Sequence, residues 1–136
     1  MKKEAKIFAT TAMKQLAESI VSHLTEFDIT LGKVKIDSFS DGEKSTQLEE
    51  SVRGHKVFII GATGSDSIME TLLMIDATKR AAAESIVAVI PYYGYARQDR
   101  KEGIRGPIGS KLVADLLTTA GATEIISVDL HAAQIQ

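Results

Sequence analysis

Ile86, Val87, Ala88, Val89 and Ile90 stand together with no polar residue among them. Such a run is how a strand covered on both faces of a sheet is written, because neither face meets water. The chain then turns polar at once, and residues 91–101 read PYYGYARQDRK. In open α/β sheets ligands bind outside the carboxyl ends of the strands, so a polar, glycine-containing segment at that point is a candidate site.

The rest of the chain alternates strand-like and helix-like segments, the pattern of a parallel α/β sheet. Residues 6–9 read as a short strand. Thr10 or Thr11 is placed to cap a helix whose Met13, Leu16, Ala17, Ile20, Val21 and Leu24 recur at helical spacing and form a core stripe. Residues 33–39 alternate Val34, Ile36 and Ser38 with Lys33, Lys35, Asp37 and Phe39, as a half-buried edge strand does, and residues 47–51 are expected to pair beside it. Arg53 and Gly54 look like a turn before a strand at 56–60. The small-residue loop at 61–65 then opens a helix that runs to Ala83, with Ser67 and Glu70 at capping-box spacing. A third helix is expected between Pro107 and Gly121, packing Ile108, Leu112, Val113, Leu116 and Leu117. A last strand at 124–128 delivers Asp129, Leu130 and His131.

At 136 residues the chain amounts to one domain with a real core. No apolar stretch approaches the roughly 18 residues of a spanning helix, so no membrane role is expected. The opening MKKEAKIFAT lacks the apolar region of a secretory signal. The absence of cysteine excludes disulfides, a thiolate nucleophile and cysteine-bound metal, and fits a cytoplasmic protein. A net charge of −2 exerts no global pull on nucleic acid, so any anion must be caught locally. The chain stops at Gln136, a few residues past a buried strand. A parallel strand ordinarily continues into a crossover, which suggests the amino-terminal part of something longer.

Three polar segments follow strands, and all are expected on one rim of the sheet. In the first, Phe39 with Asp41, Gly42 and Glu43 is suited to stacking a base and accepting hydrogen bonds from an exocyclic amine; the same residues also make an ordinary surface turn. In the second, Arg97, Arg100, Lys101 and Arg105 outnumber Asp99 and Glu102 by two charges, among glycines at 94, 103 and 106. Arginine forks suit phosphate oxygens, and a glycine-hinged loop can close over a polyphosphate; a solvated basic loop is the plainer alternative. In the third, Asp129 and His131 fall on the same side of an extended segment. They are suited to sharing a Mg²⁺ ion or its waters, or else the aspartate simply orients the histidine.

Other residues carry less. Gly61-Ala62-Thr63-Gly64 lacks the GK[ST] of a Walker loop and is not GxGxxG, although the helix start behind it suits an anion. His23 and His55 read as surface residues. Ser51 and Arg53 suit either an effector phosphate or a turn.

With FSDGE before it and DLHAAQIQ after it, PYYGYARQDRK resembles the ribose-phosphate pyrophosphokinase family. KIFA, LGKVKIDSFSDGE, ESVRG, LLMIDATKRA, AVIPYYGYARQDRK, PIGSKLVADLL, AGA and DLHAAQIQ occur in the family's order at nearly its spacing, over most of the chain. The resemblance implies a phosphoribosyltransferase-like, Rossmann-like parallel fold and a cytoplasmic enzyme that transfers the β,γ-diphosphoryl group of ATP to the C1 hydroxyl of ribose 5-phosphate with Mg²⁺. By position it implies that Phe39, Asp41 and Glu43, with Gly42 between the carboxylates, hold adenine across a subunit interface of a homo-oligomer. It makes Arg97, Gln98, Asp99, Arg100 and Lys101 the nucleotide-binding loop, and Asp129 with His131 the metal-binding segment.

Two departures stand out. The stretch IIGATGSDSIMETL is shorter than the family's usual loop, and Ser67 stands where the family usually has Asn. Nothing in residues 1–136 matches the basic catalytic flap or the Asp-Asp…Thr-Gly-Gly-Thr sugar-phosphate loop of the family's second half. The resemblance therefore implies an amino-terminal ATP-binding domain, residues 1–136, that binds Mg·ATP without completing the reaction alone. Two other readings compete with it: a regulatory or assembly module that docks on a full-length synthetase, and a domain whose basic loop contacts RNA.

Overall fold

A computed structural model of the protein describes residues 4–101 and 103–128. In chain order it runs through β1 (Ala5–Ala9), α1 (Lys14–Ser22), β2 (Val34–Ser38), β3 (Lys44–Leu48), β4 (Lys56–Ile60), α2 (Ile68–Arg80), β5 (Ser85–Ile90), α3 (Gly109–Ala120) and β6 (Glu124–Ser127). Four strands form one sheet in the order β1-β4-β5-β6, and every pair in it is parallel. Because all four run the same way, the loops after β4 and β5 emerge side by side on the carboxyl edge.

Side-chain alternation divides the core between the two faces of that sheet. Phe8, Val57, Ile59, Ile86, Ala88 and Ile90 point to one face and pack with Met74 and Ile75 of α2 and Val113 and Leu117 of α3. Ile7, Ala9 and Ile60 point to the other and meet Ala17 of α1. Each fully buried aliphatic side chain contributes about 1.5–3 kcal/mol, so the sheet holds only because both faces are covered. β5 is an interior strand, as the apolar run 86–90 predicts: Ile86, Val87, Ala88 and Ile90 are buried and Val89 is half-buried.

The helical expectations need four corrections. Neither Thr10 nor Thr11 caps a helix through its side chain; a 3-10 turn, Thr11–Met13, comes first and α1 starts at Lys14. Leu16 is 42% exposed, as are Leu112 at 55% and Leu116 at 39%. Each lies one residue before a buried partner, Ala17, Val113 or Leu117, and one residue is a rotation of about 100° on a helix. That rotation carries these leucines off the buried strip and onto the exposed flank of their helices. Pro107 also stands ahead of the helix, with Ile108 in extended conformation as the cap residue. α2 ends at Arg80, short of Ala83, where Ala82 turns left-handed at φ 63°. Gly121 closes α3 at φ 136°, as a glycine there is expected to.

The strand expected at 47–51 begins earlier. Lys44–Leu48 pairs antiparallel with Val34–Ser38 as a separate two-stranded sheet. Gly42 at φ 89° makes the connecting turn tight enough for pairing to resume at Lys44. This hairpin rests on α2 through β3, and its inward Val34, Ile36 and Leu48 join the larger core cluster.

Candidate functional site: a braced loop pair at the carboxyl edge

The loops after β4 and β5 are built against each other. Thr63 is fully buried, and its Oγ1 accepts the Gly94 N–H at 2.7 Å. A Cβ on Gly94 would lie 3.0 Å from the Thr63 carbonyl and the Gly64 nitrogen, so any larger residue would force this backbone apart by a few tenths of an ångström. The hydroxyls of Ser65 and Tyr95 are hydrogen-bonded. Behind the first loop, Thr71 of α2 donates to the Ala62 carbonyl at 2.6 Å, and the Ser67 and Ile68 N–H groups reach the Gly64 carbonyl at 2.9 Å.

The second loop is tied to α3 as well. Tyr93 is buried and its hydroxyl donates to the Ser110 carbonyl at 2.8 Å. Burial, helped by the charge of Asp115, pushes the Tyr93 phenol up to about 12, so it remains a neutral donor. The Ser110 N–H in turn donates to the Gln98 carbonyl at 2.9 Å, and a Cβ on Gly109 would sit 2.6 Å from the Gln98 amide oxygen. Between these ties Tyr95 adopts φ 72°, left-handed backbone that a bulky residue takes only when its surroundings over-determine it.

An open cleft of about 510 Å³ lies between the two loops. Gly64 and Ser65 form one wall; Tyr92, Tyr95, Arg97 and Gln98 form the other. Arg97 and Gln98 are exposed, as are Arg100 and Lys101, while Asp99 is half-buried. A guanidinium and an amide beside exposed backbone make a donor-rich pocket suited to an anion.

The predicted site residues thus fall into separate groups. Arg97 and Gln98 line the cleft, with Asp99, Arg100 and Lys101 continuing the same segment. Phe39, Asp41, Gly42 and Glu43 sit together at the tip of the β2–β3 hairpin, which belongs to the other sheet. There the Gly42 N–H donates to the Phe39 carbonyl at 2.9 Å and the Glu43 N–H to Asp41 Oδ1 at 2.9 Å, leaving Phe39 58% exposed. Asp129 and His131 lie outside the described residues. Among the described residues no three metal-ligating side chains cluster. His23 folds back on the Ser19 carbonyl and His55 on the Arg53 carbonyl, as local structure rather than ligands.

Reading by sequence missed Thr63, Ser65, Gly94 and Glu70 in these roles. The expected capping box is absent: Ser67 makes no side-chain cap, and Glu70 instead reaches the Thr11 N–H. The only sequence signal for Thr63 is a lone hydroxyl inside a small-residue loop at a strand's end.

A parallel α/β sheet with an anion-suited cleft at its carboxyl edge places the chain among phosphoribosyltransferase-like folds. It superposes on hypoxanthine phosphoribosyltransferase from Trypanosoma cruzi with a TM-score of 0.53 at 12% identity, covering 96% of this chain and 59% of that one, a likeness of fold alone. The chain belongs to the ribose-phosphate pyrophosphokinase family, the family's "N-terminal domain of ribose phosphate pyrophosphokinase" matching residues 5–121. It is 57% identical to a ribose-phosphate pyrophosphokinase of Corynebacterium ammoniagenes over 96% of its length and 54% identical to one of Streptococcus pyogenes over 98%. It superposes on phosphoribosylpyrophosphate synthetase from Mycobacterium smegmatis with a TM-score of 0.92 at 43% identity, over 98% of this chain and 45% of that one. The chain spans 41% of the Corynebacterium relative's length and 42% of the Streptococcus one. No helix among the described residues is long and apolar enough to cross a membrane.

Proposed function

We propose that this chain is the nucleotide-binding part of a ribose-phosphate pyrophosphokinase and that it binds Mg·ATP in the cleft between the β4 and β5 loops. The observation that carries the reading is the braced loop pair. It presents Arg97 and Gln98 at the carboxyl edge, in the segment whose sequence resembles the family's nucleotide loop. Arginine donors neutralise phosphate charge, and a cleft of fixed shape does so without reorganising.

In the whole enzyme's reaction the C1 hydroxyl of ribose 5-phosphate attacks the β-phosphorus of ATP in line. The bond from that phosphorus to the oxygen bridging it to the α-phosphorus breaks, AMP leaves, and the hydroxyl proton is lost. Phe39, Asp41 and Glu43 hold adenine in this reading. The exposed hairpin tip supports their reaching a nucleotide on a neighbouring copy of the chain in a homo-oligomer. Among the described residues no three metal-ligating side chains cluster. The ion would be held through the nucleotide's phosphates together with Asp129 and His131, and when bound it would neutralise triphosphate charge.

Calorimetric titration of the 136-residue chain with Mg·ATP tests the reading, paired with chromatography of AMP after adding ribose 5-phosphate. Saturable binding with no AMP is the expected result. Absence of binding would overturn the nucleotide assignment. AMP appearing in step with phosphoribosyl pyrophosphate would mean that this chain completes the reaction unaided. Salt-sensitive binding of RNA that ATP does not displace would favour the RNA reading instead.

A further inference from the structure

We propose that Thr63 is a positioning residue for the nucleotide loop. Its hydroxyl holds residues 92–98 in the conformation that presents Arg97 and Gln98, and it makes no contact with the nucleotide itself. This rests on the Mg·ATP reading of the cleft.

Thr63 is fully buried, so its side chain cannot meet a ligand. Its Oγ1 nevertheless accepts the Gly94 N–H at 2.7 Å, across thirty-one residues of sequence. Gly94 immediately precedes Tyr95, the residue at φ 72°. A left-handed non-glycine residue persists where contacts on both sides leave it no alternative. Here the preceding amide is held by Thr63, the Tyr95 hydroxyl by Ser65, and the Tyr95 carbonyl accepts the Gln98 N–H at 2.9 Å. Arg97 sits inside that last turn. The Thr63 loop is itself fixed to α2 by the Thr71 bond to Ala62, so it is a stationary wall against which the longer loop is shaped. Without the Thr63 hydroxyl, a buried amide loses its acceptor and the left-handed turn loses one of its supports.

The test compares Thr63→Val, which keeps the shape and removes the hydroxyl, with Thr63→Ser, which restores it. Each variant's Mg·ATP affinity is measured by calorimetry and its Gly94 amide exchange by nuclear magnetic resonance. Thr63→Val is expected to raise Kd by about tenfold, the worth of one lost hydrogen bond, and to speed Gly94 exchange. Thr63→Ser is expected to return both toward the parent. Faster exchange with unchanged affinity would overturn the positioning role and leave a structural brace. Unchanged exchange would overturn the brace itself. A parent chain that binds no Mg·ATP would overturn the nucleotide reading, and the exchange comparison would still decide the brace. Should Thr63→Val fail to fold, Ser65→Ala and Tyr95→Phe probe the same loop pair from its surface. Their double variant should bind no more weakly than either single one, and additive losses would overturn a shared link.

Discussion

Glu70, on α2, accepts the backbone N–H of Thr11 through Oε1 at 2.5 Å, fifty-nine residues away along the chain. Glu70 is 6% exposed. Its carboxylate satisfies a donor in the 3-10 turn that leads into α1, where no local side chain does so. It joins the chain entering α1 on one face of the sheet to a helix packed on the other face. Glu70→Ala is expected to destabilise the fold by about 1.5–3 kcal/mol, the range for hydrogen bonds to a charged group. Glu70→Gln keeps an acceptor oxygen and should cost less. Urea unfolding of the two variants checks the order; equal losses would show that the charge, not the acceptor, matters.

Gly94 meets the Thr63–Gly64 backbone so closely that an added Cβ would stand 3.0 Å from it. Backbone cannot swing aside as a side-chain end does. Gly94→Ala should therefore destabilise by about 1–3 kcal/mol and weaken Mg·ATP binding at the same time. Thermal unfolding read beside a nucleotide titration separates the two effects. A full-strength nucleotide complex in this variant would contradict the idea that loop shape sets affinity.

Arg97 is exposed in the cleft wall with its guanidinium available to an anion. Arg97→Ala is expected to weaken Mg·ATP binding by about 1.5–3 kcal/mol if the side chain makes a charge-assisted phosphate bond. Stability should hardly change, because nothing is uncovered in the core. Calorimetry at fixed salt gives the answer, and an unaltered Kd would remove Arg97 from the site.

Glu50 accepts the Lys6 ammonium at 3.0 Å and the Lys33 N–H at 3.2 Å, joining β1 to the root of the β2–β3 hairpin. Burial pushes its carboxyl up, but those two hydrogen bonds and the charges of both lysines together hold it below the ordinary value of 4.5. A depressed carboxyl contributes stability that is fully present above its unfolded pKa and is lost as pH falls through the folded one. Glu50→Gln should accordingly be less stable than the parent at pH 7 by up to about 1 kcal/mol. The gap should close on acidification below the ordinary carboxyl value. Denaturant melts at a series of pH values will show whether the two curves converge.

The strands of the main sheet were readable because their signal is local. A run such as 86–90 is apolar on both faces whatever lies around it, and the polar segment behind it falls on the carboxyl edge by the rule of parallel sheets. That rule puts residues 97 and 98 at the edge, and the cleft there is lined by Arg97 and Gln98. Leu16, Leu112 and Leu116 were misplaced because periodicity shows which residues share a stripe and not how much of it a neighbour covers. The hairpin's register depended on the Gly42 turn, and its separation from the main sheet on packing against α2.

By sequence alone the chain determined its α/β alternation, its interior strands and the cationic segment that leaves β5, since each follows from the chemistry of neighbours in the chain. The contacts that shape the site were decided by the tertiary structure. Thr63 finds Gly94 thirty-one residues away, Ser65 finds Tyr95 at thirty, and Glu70 finds Thr11 at fifty-nine. A hydroxyl or carboxylate states in sequence only that it needs a partner. Which partner it gets is settled when parallel strands bring distant loops to one edge and burial removes the water that would otherwise have served.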